Sequence, residues 1–359
     1  MVTLVTTIRA DLAGLPAYVP GRVVPGAIKL ASNEVALPPP AAVLAAVAEA
    51  AAGGNRYPDL AVTGLTARLA LALGVDAGRI ATGCGAVSIC QQLVQATCLH
   101  PEDEVLFAWR SFEAYPIVTQ IGGATARTVP LTADFRHDLD AMAAAVGPRT
   151  RLVMVCSPNN PTGTVVTRAE LERFLAAVGP DVIVAFDEAY HEYVTDPDAA
   201  DGLPLLDAHP NLVVLRTFSK AYRLAALRVG YAIAAPETAA ALRKVCAPFS
   251  VSSVAQAGAI AALDHADELL SACAEIVTER VRVRDALLAA GFTVPPTQSN
   301  FVWLALGGRT ADFAAHCLDH KIVVRPVHPD GVRVTVSTPA ENDAFLAAAT
   351  AFPGQPIRG

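Results

Sequence analysis

The chain has 359 residues and carries 27 Lys and Arg against 34 Asp and Glu, a formal net charge of −7. Apolar residues make up 53% of it and charged residues 17%, which excludes dominant disorder, and the mild acidity argues against a nucleic-acid footprint, which needs a basic stripe. At about 150 residues per domain the length corresponds to two domains, large enough to fold without disulfide or metal staples.

Seven cysteines are scattered as Cys84, Cys90, Cys98, Cys156, Cys246, Cys273 and Cys317. An odd count without a C-x-x-C pair fits reduced thiols in a cytoplasmic protein. Arg9 and Asp11 stand where a signal peptide needs an apolar core, and no run of about 18 apolar residues occurs, so neither export nor a membrane span is expected.

In chain order, the first 35 residues hold several Pro and Gly and read as an arm. Pro38–Pro40 lead into an Ala-rich helix over 41–52, where proline suits a first turn. A second helix spans about 60–73 and stops at Gly74. Short β-rich runs follow near 79–82, 104–108, 151–156, 181–187, 212–217 and 229–234, with helix-period segments between most of them. The continuous apolar run at 182–186 suits a strand buried on both faces. The alternation predicts an α/β domain with a mostly parallel sheet. Residues 237–290 read as helical, including a long amphipathic stretch over 267–290. Strands return at 301–306, 322–324 and 332–337, with helices at about 310–319 and 341–351. The expected organisation is an arm over 1–35, a large domain over 36–250 and a smaller α+β domain over 251–359 that takes up part of the arm.

Four turns that follow strands carry chemistry. In TFSKAYRLAALRVGY (217–231), Lys220 is flanked by the hydroxyls of Thr217 and Ser219, and Arg228 lies eight residues on. A lysine that attacks a carbonyl must lose its proton, and a phosphate needs hydroxyl donors and a bidentate cation. Asp187 ends an apolar strand in FDEAYHEY, where a carboxylate points into the crevice of an α/β sheet or, more plainly, caps a turn. SPNNPTG (157–163) favours a tight turn and offers the Asn160 amide. ATGCGAVSICQQL (81–93) puts Gly83 and Gly85 before a helix whose first N–H groups suit an anion. Ser88 stands where a dinucleotide fingerprint has its third glycine, so that motif is absent.

Together these turns resemble the fold-type I, class-II aminotransferases that use pyridoxal 5'-phosphate, in the branch containing histidinol-phosphate aminotransferases. The resemblance extends through LPAYVPG (15–21), IKLASNE (28–34), NRYPD (55–59), AWRSFEAYP (108–116), QSNFVW (298–303) and GVRVTVSTPAENDAFL (331–346). It implies a large domain with a mostly parallel, seven-stranded-type sheet and a smaller α+β domain. It also implies a homodimer with shared active sites and ping-pong transfer between amino acids and 2-oxo acids. Lys220 matches the lysine that holds the cofactor covalently, and Asp187 the acid that keeps the pyridine nitrogen protonated. Asn160 and Tyr190 match donors to the ring's phenolic oxygen, and Phe112 the ring stacked on the cofactor. Thr217, Ser219, Arg228 and the amides of Ala86 and Val87 match the phosphate cup, with Tyr57 reaching a neighbouring subunit's phosphate. Arg333 matches the arginine that grips the substrate carboxylate. Tyr18, Asn33 and Arg325 match positions lining the substrate pocket.

Arg223 and Ala226 replace usual glycines, and Val35 and Ala36 replace the usual Asn and Gly. Arg223 reads either as a tolerated turn residue or as added positive charge near the phosphate. His316 and His320 read as a polar helix face and not a metal site. Glu188 and Glu192 read as strand-end surface groups, and Trp109–Arg110 as local structure beside Phe112. The segments GCGAVSICQQLVQ, AWRSFEAYP and STPAENDAFL resemble aromatic amino acid aminotransferases more than the histidine-pathway members. Histidinol phosphate is the alternative donor. A non-catalytic, cofactor-binding regulator is the rival from another class, opposed by the net charge and by the lack of a helix-turn-helix. A different reaction on the same cofactor is a third reading, since fold does not fix function.

Overall fold

The computed structural model describes residues 9, 12, 14, 15 and 24–353. Tyr18 lies outside them. The elements run β1 (Ile28–Lys29), α1 (Ala41–Ala52), α2 (Thr63–Leu73), β2 (Ile80–Gly83), α3 (Ala86–Thr97), β3 (Glu104–Trp109), α4 (Ala114–Ile121), β4 (Thr125–Pro130), α5 (Leu139–Ala145), β5 (Thr150–Cys156) and α6 (Arg168–Val178). They continue with β6 (Ile183–Asp187), β7 (Leu212–Thr217), β8 (Gly230–Ile233), α7 (Pro236–Val245), α8 (Ser253–Asp264) and α9 (Ala266–Ala289). The last are β9 (Phe301–Leu304), α10 (Thr310–Asp319), β10 (Ile322–Val323), β11 (Arg325–Val327), β12 (Gly331–Thr335) and α11 (Pro339–Thr350).

The large sheet has seven strands in the order β2-β8-β7-β6-β5-β3-β4. All pairings are parallel except those of β8, which runs against both β7 and β2. Strand side chains alternate between two apolar layers, because successive residues point to opposite faces. Val153, Val155, Val184, Phe186 and Val214 join one layer with Leu65 and Leu69 of α2 and Phe174 of α6. Leu152, Met154, Ala185, Val213 and Leu215 join the other with Leu93 of α3 and Leu242 of α7. Both faces are covered, as the unbroken apolar run at 182–186 requires. β4, which sequence reading did not single out, lies at the sheet edge with only Val129 buried. Gly74 closes α2 at φ 67, a left-handed cap that glycine adopts cheaply.

A second layer lies over the sheet's rim. β11, β12 and β9 form an antiparallel sheet, and β1 pairs in parallel with β10. Val302, Leu304, Val332 and Val334 face a third apolar cluster with Phe313, Phe345 and Leu30. Phe301, Trp303, Arg333 and Thr335 therefore take the opposite face. Leu30 and Ala31 are each 1% exposed, so this stretch of the N-terminal arm is core. The 24-residue helix α9 feeds two clusters, through Leu269 and Cys273 at one end and Val283 and Leu287 at the other. All seven cysteines are free thiols. Among the described residues no helix is long and apolar enough to cross a membrane.

Candidate active site

In a parallel sheet the C-terminal strand ends share one rim. β2, β3, β5, β6 and β7 deliver their following turns there, and reversed β8 delivers the residues that precede it. The rim thus collects Gly85 and α3, Phe112, Asn160, Asp187, Lys220 and Arg228.

Asp187, 3% exposed, accepts from the Tyr115 hydroxyl at 2.8 Å and from the Ala189 amide at 3.2 Å. Burial pushes its carboxyl up to about 6, against the pull of the Tyr115 hydrogen bond. A buried carboxylate of this kind gains by pairing with a protonated nitrogen. The Tyr190 hydroxyl accepts from Asn33 Nδ2 at 2.9 Å and from Asn160 Nδ2 at 3.4 Å. With both acceptor positions used, its own proton is the group left to donate outward. Burial raises the Tyr190 phenol well above its usual range, so that proton is retained.

Lys220 is half-buried, and its Nζ donates to the Ser32 carbonyl at 3.1 Å. Desolvation, reinforced by the Arg333 charge, lowers its ammonium to about 7. Asn160 Oδ1 accepts from Arg333 Nη1 at 2.6 Å, while Arg333 Nη2 donates to the Ala31 carbonyl at 2.7 Å. Phe112 stands edge-on to Tyr115 with ring centroids 5.6 Å apart.

The anion cup is built from close approaches. Arg228 Nη1 donates to Ser219 Oγ at 3.2 Å, and the hydroxyls of Thr217 and Ser219 bond at 3.0 Å. α3 begins at Gly85 with no side-chain cap, leaving the first amides, those of Ala86 and Val87, without helical partners. A Cβ on Gly85 would lie 2.3 Å from Arg228 Nη2, and one on Gly230 would lie 2.6 Å from the Ala86 nitrogen. Only glycine at both positions lets the guanidinium and the helix end converge. Hydroxyls, a guanidinium and free amides fit a phosphate. A buried carboxylate, a phenol proton and an amine of lowered basicity fit the rest of pyridoxal 5'-phosphate.

The remaining candidates take other partners. Within one chain Tyr57 is 83% exposed and stacks on Phe249, with centroids 4.6 Å apart. Arg325 sits on β11 and pairs with Glu113. Arg223 takes φ 59, the left-handed conformation, and donates to the Pro38 carbonyl at 3.1 Å, so the structure gives it the turn role and not a phosphate role. Ala226 is absent from the positive-φ residues. Val35 and Ala36 line a cavity of about 310 Å³ with Ile276 of α9 and Val336.

Glu188 corrects the surface reading. It is 1% exposed, accepts from Arg216 Nε at 2.8 Å, and takes the Gly202 amide at 2.8 Å. Glu188, His191 and Asp201 cluster as a metal site would, but Arg216 pairs with both carboxylates and already supplies the cation. His316 bonds to the Ala348 carbonyl and packs at a tilt against His320, as a structural helix face does.

Sequence reading missed three contributors. Tyr115 was not singled out, although its place three residues after Phe112 in one turn was a usable signal. Asn159 is fully buried and ties two rim turns together, accepting from Ser111 Oγ at 2.8 Å and donating to the Arg110 carbonyl at 3.1 Å. Ser32 acts through its backbone carbonyl, which no sequence pattern marks.

The profile of the family described as aminotransferase class I and II matches residues 25–348. The chain is 60% identical over 342 residues to the aromatic amino acid aminotransferase of Rhodococcus jostii, covering 95% of each protein. It is 57% identical over 339 residues to the protein of that name from Mycolicibacterium smegmatis, covering 94% of this chain and 93% of the relative. Among solved structures, histidinol-phosphate aminotransferase from Sinorhizobium meliloti, in complex with pyridoxal-5'-phosphate, superposes with a TM-score of 0.88 at 29% identity, over 96% of this chain and 97% of that one.

Proposed function

From the premise that the chain belongs to the class I and II aminotransferase family, we propose that it transfers amino groups from aromatic amino acids to 2-oxoglutarate, as a cytoplasmic homodimer using pyridoxal 5'-phosphate. The observation that carries the chemistry is the convergence of Lys220, Asp187, the Asn160–Tyr190 pair and Arg333 at one rim. The names of relatives near 60% identity support the aromatic donor.

When bound, pyridoxal phosphate supplies an aldehyde for the amino group and a protonated ring that draws electrons from the substrate's α-carbon. The Asp187 carboxylate holds the ring-nitrogen proton in place. The Tyr190 hydroxyl and the Asn160 amide would orient the ring's phenolic oxygen, and Phe112 would offer an aromatic face to the ring. Thr217, Ser219, Arg228 and the amides of Ala86 and Val87 hold the phosphate. Arg333 grips the substrate carboxylate with its planar fork. Lys220 Nζ, neutral in a substantial fraction at pH 7, takes the α-proton and returns it, as a base tuned near working pH should. One site serving donor and acceptor in turn gives ping-pong kinetics. Tyr57, exposed in one chain, then completes the partner's phosphate cup.

The test is the pair of specificity constants for phenylalanine and histidinol phosphate with 2-oxoglutarate. A clear preference for histidinol phosphate reverses the assignment, and substantial turnover by Lys220→Ala removes it. One observation favours the rival donor: Arg325 lies directly opposite Arg333 on the neighbouring strand.

A further inference from the structure

Residues directly opposite each other in an antiparallel pair project to the same face. Arg325 and Arg333 are such a pair, so Arg325 projects from the same sheet face as the arginine whose guanidinium reaches Asn160. Two guanidinium forks on one face suit a dianion such as a phosphate monoester. Arg325, however, is engaged: its Nη2 donates to Glu113 Oε2 at 2.5 Å, with the two side chains 13% and 32% exposed. Glu113 directly follows Phe112 and occupies the N-cap position of α4, yet its side chain makes no capping hydrogen bond. Its carboxylate is spent on Arg325 and not on the helix.

We propose that Glu113 is a specificity residue. By neutralising Arg325 it sets the donor site for amino acids with a single carboxylate and disfavours phosphorylated amines. A phosphate monoester at this face must either displace Glu113 from Arg325 or lie beside a like charge. This rests on the aminotransferase reading of the same site. Removing the carboxylate need not release the turn, because Arg110 of the same turn still pairs with Asp330 and with the His328 carbonyl.

The experiment uses the loaded enzyme and two variants, Glu113→Gln and Arg325→Gln. Single-turnover reaction with each donor gives the ratio of kcat/KM for histidinol phosphate over phenylalanine. Inhibition of the phenylalanine reaction by inorganic phosphate gives a binding readout. For Glu113→Gln the ratio should rise about tenfold or more and phosphate should inhibit at correspondingly lower concentration, as expected when one close opposing charge is removed. For Arg325→Gln, which leaves the Glu113 carboxylate facing the site, both should move the opposite way. A Glu113→Gln ratio that is unchanged or falls, or two variants that shift in the same direction, overturns the proposal. Wild-type preference for histidinol phosphate would reverse the aromatic reading without changing the expected sign of either shift, so the two failures are told apart.

Discussion

Replacing Tyr115 with Phe removes one hydroxyl from a buried site. That hydroxyl donates to Asp187 Oδ2 at 2.8 Å, beside the longer bond from the Ala189 amide at 3.2 Å. A hydrogen bond to a charged group contributes about 1.5–3 kcal/mol, and each pKa unit corresponds to about 1.4 kcal/mol. Losing it should therefore lift Asp187 from about 6 by about one to two units. At neutral pH the cofactor-free variant then holds Asp187 largely protonated, a poor partner for a protonated ring nitrogen. Spectrophotometric titration of the cofactor-free protein should show the Kd for pyridoxal phosphate rising about tenfold, with the deficit shrinking as pH increases and Asp187 ionises again. Linkage gives a second readout. Asp187 sits near 6 in the folded chain against 3.8 unfolded, so the unfolded state loses its proton first as pH rises. Below 3.8 this group costs nothing. By pH about 6 it has removed about 3 kcal/mol from the stability of the cofactor-free chain. In Tyr115→Phe that decline should extend to higher pH. A variant with unchanged Kd at every pH, and an unaltered pH profile of Tm, would refute the assigned role of the Tyr115–Asp187 pair.

Three further outcomes follow from the same geometry. Gly85→Ala places a Cβ 2.3 Å from Arg228 Nη2 at a φ of +78, so cofactor affinity should fall about tenfold or more with the far-UV circular dichroism unchanged. Retention of the wild-type Kd would show that the cup does not need that approach. Because only the neutral amine attacks a carbonyl, capture of pyridoxal phosphate by the cofactor-free protein should accelerate through pH about 7, where Lys220 titrates. A midpoint near 10.5, the unperturbed lysine value, would contradict the desolvation argument. Arg223→Gly relieves a left-handed conformation costing about 1–2 kcal/mol and loses a hydrogen bond worth about 0.5–1.5 kcal/mol. Thermal melts should therefore shift little, and a tenfold change in cofactor affinity would restore a phosphate role for that arginine.

What the sequence disclosed followed from which forces act locally. The strands at 182–186 and 212–217 were legible because doubly buried strands need unbroken apolar runs. β4 escaped because TARTVP lies on an edge and, apart from Val129, faces solvent. Gly74 announced the end of α2, since few other residues take its backbone angles. Lys220, Asp187 and Asn160 stood out through the turns around them, and those turns meet at one rim. Glu188 was misread because its burial depends on Arg216, 28 positions away, and nothing local reports that distance. Arg223 was left between two readings because backbone angle and side-chain direction are settled by tertiary contact with Pro38. Glu113 was passed over for the same reason, since its meaning lies in Arg325, 212 positions further on.

The reversed direction of β8 has one more consequence. Since β8 runs against β7, the chain leaves one strand and enters the other at the same rim, where Thr217 pairs with Gly230. Lys220 and Arg228 therefore belong to a single short loop clamped at both ends, with Phe218 bonded to the Val229 carbonyl at 3.2 Å and Leu224 to the Phe218 carbonyl at 3.0 Å. The loop acts as a caliper whose opening is set by the number of residues between the two tips. The parts that choose the donor, Glu113 and Arg325, sit on separate segments outside the caliper. Drift in substrate preference can therefore accumulate there while the spacing between amine and phosphate anchor stays fixed, whereas a one-residue insertion between 220 and 228 would spoil reaction and cofactor binding together.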